Sequence, residues 1–353
     1  MVKIGNKQIG DNFPTFITFE AGPTHTGFSS AKELIRQTAL AGADAIKFQI
    51  FNPDELIHDK KLLYSYDILV DRDSGQTEKV TEPLYDIFVR RYLPASDWKK
   101  LKDYADSLNL TFFATIGDDA GLDLVQDIRC ESVKIASADL NHYPLLRKVA
   151  KLNIPIQIDT GNATLGEVEA AIELLKREGN EQIIIHNCPS GYPAHLESIN
   201  LRFIKSLKQL FGHPVAYSDH TPGNIMDIAA ISFGANLVEK TITLDKTTPS
   251  VEHIMSIEPD EMQHFVSTIR DVERAMGAGI RSMTDEEKMR RLNVRRSVVL
   301  EEGVRQGESL GSARVNFKRP GFGIAPNEYE YLLEKRFRSA LPAGSVLQLT
   351  DLE

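Results

Sequence analysis

Two lysines stand where lysine is least expected. In Ala45-Ile-Lys47-Phe-Gln49-Ile50 and Ser132-Val-Lys134-Ile-Ala-Ser137, an ammonium interrupts a run of mostly apolar residues. Such runs read as strands covered on both faces, where a charge must be paired to be tolerated. The anion is Glu20 or Glu239, or it is the phosphate or carboxylate of a ligand. A third possibility is that one lysine forms a Schiff base, which requires a depressed amine pKa. Hydroxyls at neighbouring run ends, including Thr115, Ser137, Ser190 and Ser218, add neutral donors and favour phosphate. His220, in Ser218-Asp219-His220-Thr221, is a candidate metal ligand or general acid/base. His25 is a weaker candidate, and the contexts of His58, His142, His186, His195, His213 and His264 single none of them out.

These residues can act together only if the elements that carry them converge. Eight β-type runs occur in order: Phe16–Ala21, Ala45–Ile50, Thr111–Ile116, Ser132–Ser137, Pro155–Thr160, Gln182–Asn187, Val215–His220 and Leu237–Thr243. Helical patterns alternate with them. Ser30 and Ser96 read as helix starts, Thr164 with Glu167 as a capping box, and Pro259 as a first-turn proline. Eightfold alternation is the signature of an α/β fold, a closed (β/α)8 TIM barrel, whose strand ends meet at one cleft. An open doubly wound sheet alternates too, but no Gly-x-Gly-x-x-Gly follows the first run. From Phe51 to about Ala95 the rhythm breaks, and an insert carries Tyr64, Tyr66, Asp71, Arg72, Asp73 and Tyr85. Loops of that length are usually functional lids or partly disordered.

The barrel is expected to occupy residues 1–283, with a charged linker at 284–294 and a small β-rich module at 295–353. In that module Val304-Arg-Gln-Gly307-Glu-Ser-Leu310 is echoed by Leu341-Pro-Ala-Gly344-Ser-Val-Leu347, which suggests internal pseudo-symmetry. A net charge of -9 argues against nucleic acid as the main partner. The apolar runs fall far short of the roughly 20 residues that span a bilayer, and no basic segment followed by an apolar one opens the chain, so no membrane association is expected. Cys130 and Cys188 are too few for a disulfide framework or a cysteine zinc site. A cytoplasmic location is the expectation.

Taken in order, the strand-end strings resemble the sialic acid synthase family, the phosphoenolpyruvate-dependent synthases of N-acetylneuraminate and related nonulosonates, including the spore coat polysaccharide biosynthesis protein E branch. The resemblance rests on Glu20-Ala-Gly-Pro-Thr-His25-Thr-Gly27, Ala41-Gly-Ala-Asp-Ala-Ile-Lys47-Phe-Gln49, Val133-Lys134-Ile-Ala-Ser137-Ala-Asp139, Asn141-His-Tyr-Pro144 and Tyr217-Ser-Asp-His220-Thr221. In the tail, Phe317-Lys-Arg319-Pro-Gly-Phe-Gly323 resembles the antifreeze-like SAF (β-clip-like) module of these enzymes. The resemblance implies that Lys47, Thr115, Lys134, Ser137, Ser190 and Ser218 hold phosphoenolpyruvate, and that Gln49, Asp139 and Tyr192 meet an N-acetylated amino sugar. It makes Glu20 a carboxylate near the reacting carbons and His220 one of two ligands of a divalent ion, Mn²⁺ or Mg²⁺. Arg319 matches an arginine that reaches the partner's active site in a domain-swapped homodimer.

Four departures accompany the match. Thr241 replaces the family's second metal histidine, Glu252 replaces an aspartate that binds the acceptor sugar, Asp159 stands where a serine is common, and Thr24 where an asparagine is common. The implied function is condensation of phosphoenolpyruvate with an N-acetylmannosamine-like sugar in surface polysaccharide biosynthesis. The rivals are a non-catalytic sugar-phosphate binder that lost its metal, and a Schiff-base aldolase using Lys134.

Overall fold

The computed structural model describes residues 2–353. The eight runs become the strands of one closed, all-parallel barrel, which removes the open-sheet alternative. We number them one to eight: Phe16–Glu20, Ala45–Ile50, Thr111–Ile116, Val133–Ile135, Ile156–Asp159, Ile183–Asn187, Val215–Asp219 and Leu237–Thr241. Strand eight closes on strand one with Thr241 opposite Glu20.

Alternation along each strand sorts the side chains into two populations. The outward set is apolar and packs under the helices. Phe19 meets Phe265 of helix Pro259–Met276 with ring centres 5.7 Å apart, and Phe48 lies between Phe112 and Trp98 at 5.3 and 5.4 Å. The inward set at the C-terminal ends is polar: Glu20, Lys47, Thr115, Lys134, Asp159, His186, Ser218 and Glu239. Adjacent strands bring these level, pairing Glu20 with Lys47, Thr115 with Lys134, Asp159 with His186 and Ser218 with Glu239.

Thr164 and Glu167 do form a capping box, and Pro259 opens its helix. Ser30 and Ser96 fall inside helices Phe28–Ala41 and Ala95–Ser107 instead of preceding them. A hairpin not expected from the sequence, Val2–Ile4 with Lys7–Ile9, adds Val2, Ile4 and Ile9 to the barrel core.

The insert after strand two is ordered. It forms a β-hairpin, Leu63–Asp71 with Gln76–Pro83, followed by a helix, Leu84–Arg91. Tyr66, Ile68 and Ile87 make a small core with Val251 from the loop after strand eight. Arg72, near the hairpin tip, bonds Glu258 at 2.5 and 2.7 Å and Asp245 at 2.6 Å. The insert and the eighth loop thus fold as one structure.

Residues Ala278–Glu353 form a second compact unit. The stretch read as a linker is a capped helix, Asp285–Val294. Regular strand in this unit is confined to one antiparallel pair, Ser297–Leu300 with Val315–Lys318. The sequence echo has a structural counterpart: Val304 and Leu341 bridge each other, Gly307 and Gly344 share φ near 83° and 85°, and Leu310 and Leu347 are both fully buried. Only glycine adopts that φ without strain. Among the described residues no helix is long and apolar enough to cross a membrane.

Arg72→Ala should free the hairpin while leaving the barrel intact. Hydrogen exchange across residues 63–83 should accelerate at least tenfold with exchange in the barrel strands unchanged; equal exchange in both proteins would show that the small core alone holds the insert.

Candidate active site

Five charged groups meet inside the barrel mouth. Lys134 Nζ lies 2.7 Å from Glu239 Oε1 and 2.9 Å from Asp159 Oδ1, and donates to Ser218 Oγ at 3.0 Å. Lys47 pairs with Glu20, lies 3.1 Å from Glu239 Oε1 and donates to Thr115 Oγ1 at 3.0 Å. All five groups are buried. Burial works against both ammoniums, but the carboxylates outweigh it: Glu20 and Glu239 hold Lys47 above the usual lysine range, and Asp159 and Glu239 do the same for Lys134. Burial likewise opposes ionisation of Glu239, yet the two lysines keep its carboxyl well below the ordinary value. For Glu20, burial prevails over Lys47 and the carboxyl is raised. With every group ionised the cluster carries one excess negative charge, so one proton on Glu20 balances it.

The polar layer continues under this cluster. His186 Nδ1 lies 2.9 Å from Ser218 Oγ and its Nε2 2.8 Å from Gln157 Oε1, while Gln157 donates to Ser132 Oγ at 2.9 Å. Burial, with Lys134 nearby, holds the His186 imidazole down to about 3, so it is neutral. Neither His186 nor Gln157 was anticipated. The readable signal was a polar residue inside an otherwise apolar strand, and the register sets His186 level with Asp159.

The first loop is built tightly over Glu20. Gly22 donates its N–H to Glu20 Oε1, and a Cβ there would lie 2.5 Å from Gln49 Cγ and 2.6 Å from the Gln49 backbone N. That backbone cannot yield, so the position demands glycine. Thr24 donates to the Ile242 carbonyl at 2.6 Å, tying the loop to the end of strand eight.

The remaining predicted residues of the barrel lie in the loops that follow its strands. Ser190 donates to Asn162 Oδ1 at 3.0 Å, and Asn162 donates to Ser137 Oγ at 3.3 Å beside a cavity of about 140 Å³ that Asn141 also lines. Asp139 is half-buried, and burial raises its carboxyl. Tyr192 packs on His220 with ring centres 4.5 Å apart. Glu252 is buried and held in the left-handed region at φ 73°. Burial, only partly offset by Arg91, pushes its carboxyl up to about 8. Arg91, from the insert, is itself buried and was not anticipated. Arg319 is exposed and lies in the second unit.

His220 Nδ1 lies 2.9 Å from the Pro189 carbonyl. A carbonyl only accepts, so Nδ1 carries the proton, and burial keeps the ring neutral. Nε2 therefore presents a lone pair, the orientation of a ligand or base and not of an acid. One oriented imidazole, with a threonine at position 241 on strand eight, does not amount to a protein-built site for a divalent ion. Among the described residues the one group of three candidate ligands is Glu258, Asp260 and Glu261, where Glu258 pairs with Arg72 and Glu261 with Lys246.

A closed parallel barrel whose mouth gathers paired lysines, carboxylates and hydroxyls defines a catalytic (β/α)8 protein. Residues 34–281 match the NeuB family model. The chain belongs to the NeuB family. It is 33% identical over 354 residues to the N,N'-diacetyllegionaminic acid synthase of Legionella pneumophila, covering 99% of this chain and 98% of that protein. It is 32% identical to the spore coat polysaccharide biosynthesis protein SpsE of Bacillus subtilis, covering 94% and 91%. Among solved structures, the N-acetylneuraminic acid synthetase of Leptospira borgpetersenii, in complex with citrate, superposes with a TM-score of 0.71 at 28% identity over 82% of this chain and 94% of that one.

Two predictions follow from the charges. Lys134→Met leaves Asp159 without its ammonium and Glu239 with only one, and should cost about 3–5 kcal/mol in urea unfolding; adding Asp159→Ser should restore more than half of it. Equal stability of both variants would remove Asp159 from the cluster. Glu252 binds its proton more tightly folded than unfolded, so stability falls as pH rises from about 4.5 through about 8. Glu252→Gln should flatten that decline, standing on the order of 4 kcal/mol above wild type at pH 8 and level with it at pH 4. Parallel stability curves would refute the raised carboxyl.

Proposed function

We propose that this enzyme condenses phosphoenolpyruvate with the open-chain aldehyde of an N-acetylated amino sugar, giving a nonulosonic acid and phosphate. The observation that carries the reading is the pair of ammonium–hydroxyl sets, Lys47 with Thr115 and Lys134 with Ser218, facing one mouth in a NeuB-family barrel. Relatives covering nearly the whole chain are named as legionaminic and pseudaminic acid synthases.

In this mechanism C3 of the enol attacks the aldehyde carbon, water adds at C2, and phosphate leaves the tetrahedral adduct. Glu20 is suited to both proton steps. Raised by burial, it gives its proton to the nascent alkoxide; as a carboxylate it then accepts one from the attacking water. Lys47, Lys134, Thr115, Ser137, Ser190 and Ser218 take the phosphate and carboxylate, while Gln49, Asp139, Tyr192 and Glu252 take the sugar. Family enzymes are generally metal-dependent. Here His220 is the single oriented nitrogen, the donor set does not fit a firmly held Mn²⁺ or Mg²⁺, and no step is routed through one. The Schiff-base alternative is disfavoured, because Lys134 is held above the ordinary amine range and a nucleophilic lysine needs the reverse. We further propose that the second unit is an SAF module, that its Arg319 serves the partner's site in a domain-swapped homodimer, and that the enzyme works in the cytoplasm on surface-polysaccharide precursors. The exposure of Arg319 and the extent of the matches over the tail support this.

Phosphate release from phosphoenolpyruvate against a panel of N-acetylated hexoses, with and without manganese, tests the reading. Turnover with at least one sugar is expected; ligand binding without release would leave the non-catalytic binder. Because the lysines are already neutralised, the entering phosphoenolpyruvate should also bring a proton with it. Calorimetry in buffers of different ionisation enthalpy should show uptake approaching one proton near pH 7, and a buffer-independent heat would contradict the charge balance.

A further inference from the structure

The insert helix Leu84–Arg91 ends in two arginines with opposite surroundings. Arg90 holds Glu82 through two bonds, at 2.5 and 2.8 Å. Arg91 is 6% exposed, and among the described residues its side chain makes no hydrogen bond or ion pair. Its Nε and Nη2 are both buried without a partner. These two N–H groups lie along one edge of the guanidinium and form the fork that fits two oxygens of a carboxylate or phosphate. A guanidinium cannot neutralise itself by losing a proton, so a buried one calls for an anion.

Arg91 is placed there by packing. Ile87, four residues earlier on the same helix face, packs against Val251, and Glu252 follows directly. The charges that reach Arg91 are Glu252, Glu20 and, with opposite sign, Arg90; Tyr66 adds a smaller effect. Neither carboxylate is within ion-pairing distance. The Glu252 backbone is set in a left-handed turn in which Ser256 Oγ donates to its carbonyl at 2.7 Å, and its carboxyl forms no ion pair with the fork. Burial pushes its carboxyl up to about 8, so near neutrality much of it is protonated and does not neutralise the guanidinium. His25, also 2% exposed with both ring nitrogens unpartnered, is kept neutral by burial and by Arg91. At the barrel centre, by contrast, both lysines already have carboxylates.

We propose that Arg91 forms an oxyanion subsite on the acceptor side of the mouth, so that this enzyme prefers an acceptor sugar bearing an acidic group, a carboxylate or a phosphate, over a neutral one. The proposal rests on the condensation reading for which substrate the subsite serves. Arg91 is a binding residue here; the reacting atoms belong to the Glu20 cluster.

Equilibrium binding of three probes to the full-length enzyme tests this without requiring turnover: N-acetylmannosamine, its 6-phosphate, and N-acetylmannosaminuronic acid. In wild type at least one acidic probe should bind tenfold or more tighter than the neutral sugar, and the comparison of the two identifies which oxyanion the fork takes. Arg91→Met should reduce the preference to twofold or less without weakening the neutral sugar, and Arg91→Lys, a charge without the fork, should keep only part of it. Arg91→Met should also melt no lower than wild type, since it removes an unpaired charge; a merely structural arginine would show a fall. Equal affinity for neutral and acidic probes in wild type, or a preference that survives in Arg91→Met, would overturn the proposal. Phosphate release measured on the same samples separates the two readings. Arg91-dependent binding with no release from any sugar would sink the condensation and leave the subsite, whereas release with neutral sugars alone would do the opposite.

Discussion

Two ammoniums enclosed by a barrel require compensating charge, and much of this structure is arranged to supply it. Lys47 and Lys134 sit on strands two and four, so the anions must come from other strands at the same height: Glu20 on one, Asp159 on five and Glu239 on eight. That height is set by the parallel register, which makes each inward residue level with its neighbour's. The glycine at position 22 and the hydroxyls of Thr115 and Ser218 are consequences of the same demand, the first admitting a loop close over Glu20 and the others satisfying leftover donors. An odd number of carboxylates against an even number of lysines leaves a proton to be placed. Burial raises the Glu20 carboxyl over the pull of Lys47, so the proton is placed there.

The departures from the family pattern look less independent in this light. Asp159, where a serine is common, is one of the anions that Lys134 needs, and it stands opposite His186 in the strand register. Thr241 faces Glu20 across the seam where the barrel closes. Glu252 adds a carboxyl just where the insert delivers Arg91. Asp159 and Thr241 thus both lie at strand ends that carry or face the buried charges.

What the sequence disclosed was whatever is written locally. The eight strands were readable because a barrel strand is apolar on its outer face and its polar inner residues fall at the end of the run. The echo between Val304–Leu310 and Leu341–Leu347 was readable because a glycine must occupy each left-handed turn. The hairpin Leu63–Asp71 with Gln76–Pro83 escaped because its second strand, Gln76-Thr-Glu-Lys-Val-Thr-Glu-Pro83, is polar on almost every residue and its one covering face is supplied from the eighth loop. Arg91 escaped for a similar reason: beside Arg90 at a helix end it reads as surface, and it is buried in a helix whose Ile87 packs against Val251, from a loop far away in sequence. His186 was visible as a polar residue in an apolar strand, but without the register its partners could not be named.

Strand one lies between strands two and eight in the closed barrel, and the insert from strand two rests on the loop from strand eight. The two therefore form an arch that passes over strand one and over Glu20 at its end. The cover is one-sided: the insert and the eighth loop meet beside strand one, whereas Ser137, Asn162 and Ser190, in the loops after strands four, five and six, stay at least partly exposed.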